Sequence, residues 1–122
     1  MEIIDKRYTM EHTRGDKGGI RLVTKPGLRS FKIDDVIKFS IVTKGNYNDV
    51  VFQKEFKVEE DCTEYILGFT NEEMRIGEPI SDKEVTYYYE IELNNDTTLI
   101  GSRNKHKKFI LYPEAATKEA DE

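Results

Sequence analysis

Val85-Thr-Tyr-Tyr-Tyr-Glu-Ile-Glu-Leu93, followed at once by Asn94-Asn95-Asp96 and a second β-rich run from Thr97 to Gly101, decides the fold class. Val85, Tyr87, Tyr89, Ile91 and Leu93 fall on one face at a period of two, and Thr86, Tyr88, Glu90 and Glu92 on the other. That is the pattern of a half-buried antiparallel strand, and it sets an all-β reading.

Outward from this run the pattern repeats. In Val36 to Thr43, Ile37, Phe39 and Ile41 oppose Lys38 and Ser40. The turn-rich Gly45-Asn46-Tyr47-Asn48-Asp49 leads into a segment in which Val50, Phe52, Phe56 and Val58 alternate with Val51, Gln53, Glu55 and Lys57, so the two runs read as a hairpin. Glu64 to Phe69 places Tyr65, Leu67 and Phe69 on one side. Toward the N-terminus, Arg7 to Thr13 alternates Tyr8, Met10 and His12 against Thr9 and Glu11. Three glycines within Arg14-Gly15-Asp16-Lys17-Gly18-Gly19 then supply a turn. Ile20 to Thr24 resumes as a short strand that ends at Lys25-Pro26-Gly27, the residue order of a type II turn. Lys107 to Tyr112 is the last strand, closed by Pro113.

Thr70-Asn71-Glu72-Glu73-Met74 is the one helix signal, a capping box with Gly77 soon after, and it allows a single helical turn. About seven short strands with turn signals every eight to twelve residues point to an antiparallel β-sandwich of immunoglobulin type, with a small barrel as the alternative. The chain divides into an N-terminal arm (1–6), the sandwich (7–112) and an acidic tail (113–122) expected to be mobile.

Composition sets the function classes. At 122 residues, 37% hydrophobic and 35% charged, the chain fits one domain with an economical core. The seven Tyr and six Phe, concentrated in alternating runs, argue against disorder. A net charge of −5 disfavours nucleic acid as a partner, since phosphate contacts need a concentrated positive surface. Arg103, Lys105, His106, Lys107 and Lys108 form the one basic cluster, and without an interleaved aromatic platform it reads as a solvated hairpin loop. No stretch is long and apolar enough to cross a bilayer or to serve as a signal peptide, so the expectation is synthesis and folding in a cytoplasm, with no membrane partner. The lone Cys62 has no disulfide partner and no metal-ligand company.

Catalytic chemistry does not assemble from these residues. A nucleophile needs an adjacent base and a group to orient it, and only His12 and His106 could supply the imidazole. The carboxylate runs Asp34-Asp35, Glu59-Glu60-Asp61 and Glu72-Glu73 lack the alternating spacing of a calcium loop and read as solvated turns. No enzyme activity, cofactor or metal is expected. Arg14-Gly15-Asp16 matches an integrin-binding tripeptide, but its place between two strands asks for a turn. Tyr47, Tyr88 and Tyr112 are candidates for stacking on sugars or anchoring an interface, and Tyr88, opposite the core face of its strand, is the best of them.

The order of these motifs resembles a known family. A leading strand, Arg14-Gly15-Asp16, an Asp-rich turn before Val36-Ile-Lys-Phe-Ser-Ile, then Phe52-Gln-Lys-Glu-Phe, Thr70-Asn-Glu-Glu, Tyr87-Tyr-Tyr-Glu-Ile-Glu-Leu and Lys108-Phe-Ile-Leu is similar, over residues 7 to 112, to the immunoglobulin-like N-terminal domain of phage upper baseplate proteins and related small phage and prophage proteins. The resemblance implies a virion structural role: an adaptor or decoration subunit of the tail, baseplate, fibre or neck. Its partners would be other virion proteins in a symmetric assembly, with a homo-oligomer possible, and it would be made in a bacterial cytoplasm. A carbohydrate-binding or host-adhesion module, or a capsid decoration protein, is the alternative. Ile3, Ile4 and Tyr8, apolar yet outside the core pattern, are the candidate docking arm, and Tyr87 or Tyr89 is a candidate tyrosine corner for the loop after Asp82.

Overall fold

The computed structural model describes residues 1–4, 7–24, 30–77, 83–100 and 107–113, with all their side chains but that of Tyr47. Among them nine strands form: β1 (Glu2–Ile3), β2 (Met10–Thr13), β3 (Gly18–Val23), β4 (Val36–Thr43), β5 (Asn46–Lys57), β6 (Glu64–Phe69), β7 (Val85–Leu93), β8 (Thr97–Ile100) and β9 (Lys107–Tyr112). The larger sheet runs β1-β2-β9-β7-β4-β5, and the smaller one is β3-β6. β9 and β8 share one side of β7 in succession, β9 along Val85 to Tyr89 and β8 along Ile91 to Leu93. Every pairing is antiparallel except that of β2 with β9.

The inward faces meet in one core. Ile37, Phe39 and Ile41 of β4, Ile91 of β7, Phe109 of β9 and Leu67 of β6 are wholly buried, as the alternating pattern requires. Phe39 lies 5.0 Å from Phe69, centroid to centroid, and 5.9 Å from Tyr89, so its ring bridges the two sheets. Burying side chains of this size contributes about 2 kcal/mol each.

Several expectations change on contact with the structure. The arm is partly strand: Glu2 and Ile3 pair with Glu11 and Met10. The β4–β5 connection is tighter than the turn-rich 45–49 suggests, because Thr43 pairs with Asn46 across Lys44 and a left-handed Gly45. Farther along, Ile41 pairs with Phe52 but Val42 with Val50, so Val51 is inserted as a bulge. The bulge turns Val50 out to 46% exposure and breaks the alternation that would have put it inside. Gly18 and Gly19 open β3 rather than interrupting it. At 70–74 the capping box closes, with Thr70 N–H donating to Glu73 Oε1 (2.8 Å) and Glu73 N–H to Thr70 Oγ1 (3.1 Å), but the segment is an isolated turn and no helix. These bonds and the Lys54 ammonium hold the Glu73 carboxyl below its ordinary range. The Lys25-Pro26-Gly27 turn, the residues up to and including Asp82 that precede the loop into β7, Arg103 to His106 and the acidic tail beyond Pro113 lie outside the described residues.

The carboxylate pair Asp34-Asp35 is the clearest correction. Asp34 is left-handed (φ 73°) and sits at the surface 3.4 Å from Lys57. Asp35 is buried, not a solvated turn residue. Its Oδ2 accepts from Lys32 N–H (2.8 Å) and its Oδ1 from Asn94 Nδ2 (3.0 Å). Asn94 in turn exchanges two bonds with the backbone of Val36, through its Oδ1 and its own N–H. A buried carboxylate is tolerated only when its oxygens are satisfied in this way.

One residue passed over by the period-two reading guards an edge. Lys54 sits on the inward face of β5, where its ammonium donates to Gly68 O and Glu73 Oε1 (2.9 Å each) and lies 5.0 Å and 5.6 Å from the rings of Phe56 and Phe69. It bridges the layers and occupies a carbonyl on the outer edge of β6.

Candidate interaction surface

Residues 2–4 run back alongside residues 9–11. Ile3 pairs with Met10, Ile4 N–H donates to Thr9 O (2.9 Å), and Tyr8 takes a left-handed conformation at φ 60° to turn the chain. A non-glycine residue keeps that conformation only when its surroundings hold it. The holder is Tyr89, whose hydroxyl donates to Tyr8 O at 2.6 Å from the core face of β7. Tyr89 is therefore a tie to the segment ahead of β2 rather than to the loop after Asp82. Ile3, Ile4 and Tyr8 remain 43%, 46% and 47% exposed, and Lys107 Nζ stands 5.6 Å from the Tyr8 ring. Apolar side chains are thus displayed at a fixed site.

Next to this hairpin, His12 is buried in β2, and its Nε2–H donates to Asp16 O (2.8 Å). Gly18 matters here: a side chain on it would come within 3.2 Å of Met1 Cγ and 3.5 Å of His12 Cε1, so the bare backbone leaves room for Met1 to pack. Burial holds His12 below its ordinary pKa of 6.5, opposed by the Asp16 bond. Because the folded value is depressed, the unfolded chain takes the proton first as pH falls. The contribution to stability is whole above pH 6.5 and is lost on acidification through the folded value. Urea midpoints measured between about pH 7 and about pH 5 should fall in the wild type and stay flatter in His12→Gln, whose amide can still donate to Asp16. Equal slopes would remove His12 as the cause.

Arg14-Gly15-Asp16 is an internal fastener. Arg14 Nε donates to Ile76 O (2.9 Å), its Nη2 reaches Arg75 O (3.3 Å) and Gly77 O (3.4 Å), and Gly15 N–H donates to Met74 O (3.0 Å). The guanidinium closes off the carbonyls after the 70–74 turn, the place where a helical turn exposes unpaired acceptors. A guanidinium committed to three carbonyls is poorly placed to receive an acidic receptor group.

The structure does not bring Tyr88 to the arm. It lies half-buried at the centre of the larger sheet's outer face, with Val42 and Lys108 as its cross-strand neighbours. Tyr112, farther along that sheet, donates to Glu11 Oε2 at 3.1 Å, which pushes its phenol pKa up. Among the described residues, no group of three or more His, Cys, Asp or Glu side chains could hold a metal ion, and no helix is long and apolar enough to cross a membrane. No family model, curated protein or solved structure matches this chain. The functional reading therefore rests on its own residues.

Sequence reasoning did not find the roles of Arg14 and Lys54, both fixed by backbone carbonyls distant in sequence. The exposure of Ile3, Ile4 and Tyr8 was open to it, because each falls outside any alternating core set.

Proposed function

We propose that this chain is a phage virion structural protein: an immunoglobulin-like adaptor or decoration subunit of the tail, baseplate, fibre or neck that works by protein–protein assembly and not by catalysis. The order of sequence motifs supports this reading, and so does the strand order. The parallel pairing of β2 with the last strand, followed inward by β7, β4 and β5 and accompanied by a separate β3-β6 sheet, is the kind of strand order a variable-type immunoglobulin sandwich would need, and it supports that reading without being specific to it. The observation that carries the docking role is the exposed Ile3, Ile4 and Tyr8 on a hairpin fixed by Tyr89. A pre-ordered apolar site loses little entropy on binding, and symmetry multiplies modest contacts into a stable assembly.

The test is incorporation. Particles purified on a density gradient from producing cells should carry the tagged wild-type chain. An Ile3→Ser/Ile4→Ser variant keeps Met1 in place over Gly18 but loses about 1.5 kcal/mol for each isoleucine that docking buries. Its particle-bound amount should drop at least about tenfold. Wild-type chain absent from particles would sink the virion reading. Equal incorporation of the variant would sink the arm as the docking site.

A further inference from the structure

Among the described residues the smaller sheet has two strands and therefore two edges without a strand neighbour, and the structure treats them differently. Thr24 N–H donates to Thr63 O, and the register runs from Gly18 opposite Phe69 to Val23 opposite Glu64. Gly18, Ile20 and Leu22 therefore turn their backbone groups toward β6, while Gly19, Arg21 and Val23 turn theirs away from it. On the β6 side, the Gly68 carbonyl that faces outward accepts from Lys54. On the β3 side, no described residue bonds the outward N–H and C=O groups of Gly19, Arg21 and Val23.

Other edges among the described residues are interrupted: in β8, Leu99 is left out of the pairing with β7 as a bulge. β1 is two residues long, and β5 carries a bulge and an inward lysine. β3 has no bulge, no proline and no inward charge. Beside its unpaired edge lies an open groove of about 1060 Å³, lined by β3 and β8 residues and by none from β6. Leu22, Phe31, Leu93, Leu99, Ile100 and the Tyr8 ring supply the apolar part of its lining, beside Arg21, Asn94, Asp96 and Lys107. A row of unsatisfied backbone groups alongside an apolar trough fits an extended chain: backbone bonds supply the pairing and alternate side chains enter the trough.

We infer that the free edge of β3 accepts an extended strand from a different protein, a segment whose alternate residues are aliphatic and enter the groove between β3 and β8. A second copy of this chain fits less well. The two-fold pairing that uses all three outward residues centres on Arg21 and sets two arginines directly opposite one another, which is unfavourable even with each bridged to its own Glu64 (2.7 Å). The inference rests on the assembly reading of the previous section and names the edge and the kind of segment that would engage it.

The test uses the full-length chain, labelled with nitrogen-15, and an end-blocked synthetic peptide of alternating valine and threonine flanked by lysines. A peptide of the same composition with its valines in one block is the control. In the free protein the amides of Gly19, Arg21 and Val23 should exchange rapidly, and saturating alternating peptide should slow them about tenfold or more. Val23→Pro removes an outward N–H that no described residue accepts from, and Leu99→Lys puts a charge on the groove wall without touching the backbone. Each should raise the peptide Kd by at least about tenfold. Protected amides in the free protein, equal binding of the blocked control, or binding unchanged in both variants would overturn the inference. So would a dimer of the chain alone that Val23→Pro dissolves, because the occupant would then be a second copy. Peptide capture lost in both variants while both still enter particles as wild type does would uphold the strand-accepting edge and leave the virion reading of it refuted.

Discussion

Asp35→Ala should lower the unfolding free energy by about 3 kcal/mol and the Tm by on the order of 10 °C. The carboxylate is buried, and its removal leaves a gap in the structure and takes the acceptor from the Lys32 N–H and the Asn94 amide. Asn94 depends on it: the Oδ1 that receives Val36 N–H is held at the correct angle because the Nδ2 is anchored to Asp35. The loop before β4 and the turn after β7 are thus joined by one side-chain pair. Asn94→Gly removes the amide and suits the left-handed backbone at φ 53°. The double variant should be less destabilised than the sum of the two single variants, because both lose the same bond. Urea unfolding of the four proteins reads this directly, and strict additivity would show that the pair is not coupled.

Gly77→Ala carries the second large effect, about 2 to 4 kcal/mol, from two causes that can be separated. The backbone there is left-handed at φ 79°, which alone costs an L-residue about 1 kcal/mol or more. The added Cβ would also stand 2.6 Å from the Tyr87 hydroxyl, closer than atoms approach without moving. Tyr87→Phe removes that oxygen. In the Gly77→Ala/Tyr87→Phe protein the clash should be relieved and the backbone strain should remain, so the alanine costs less than it does beside tyrosine. An equal cost in both backgrounds would assign the whole effect to φ.

The alternation in Val85 to Leu93 and Val36 to Thr43 was legible because period two is a local property that burial then enforces: every residue assigned inward from Ile37 to Ile41 and from Tyr87 to Leu93 is buried. Val50 was misread because a bulge is set by partner register, which only the pairing with Val42 reveals. Asp35 looked like its neighbour Asp34, and nothing in the dipeptide tells which carboxylate will meet Asn94, fifty-nine positions away. Of the candidate contact residues, Ile3, Ile4 and Tyr8 could be singled out as apolar residues with no place in the pattern. The edge of β3 could not, since it depends on which strand has no second neighbour among the described residues.

The parallel pairing of β2 with β9 has a consequence for the order of assembly. Met10 lies beside Phe109, and Thr13 beside Tyr112, so β2 finds that neighbour only after nearly all of the sandwich has been synthesised. Contacts so distant in sequence close late and slowly. Until β9 emerges from the ribosome, β2 and the β1 that pairs with it have no strand joining them to β7, and only the Tyr89 hydroxyl bond to Tyr8 O reaches across. A copy truncated before β9 would therefore lack the pairing that seats β2, and with it β1, in the larger sheet.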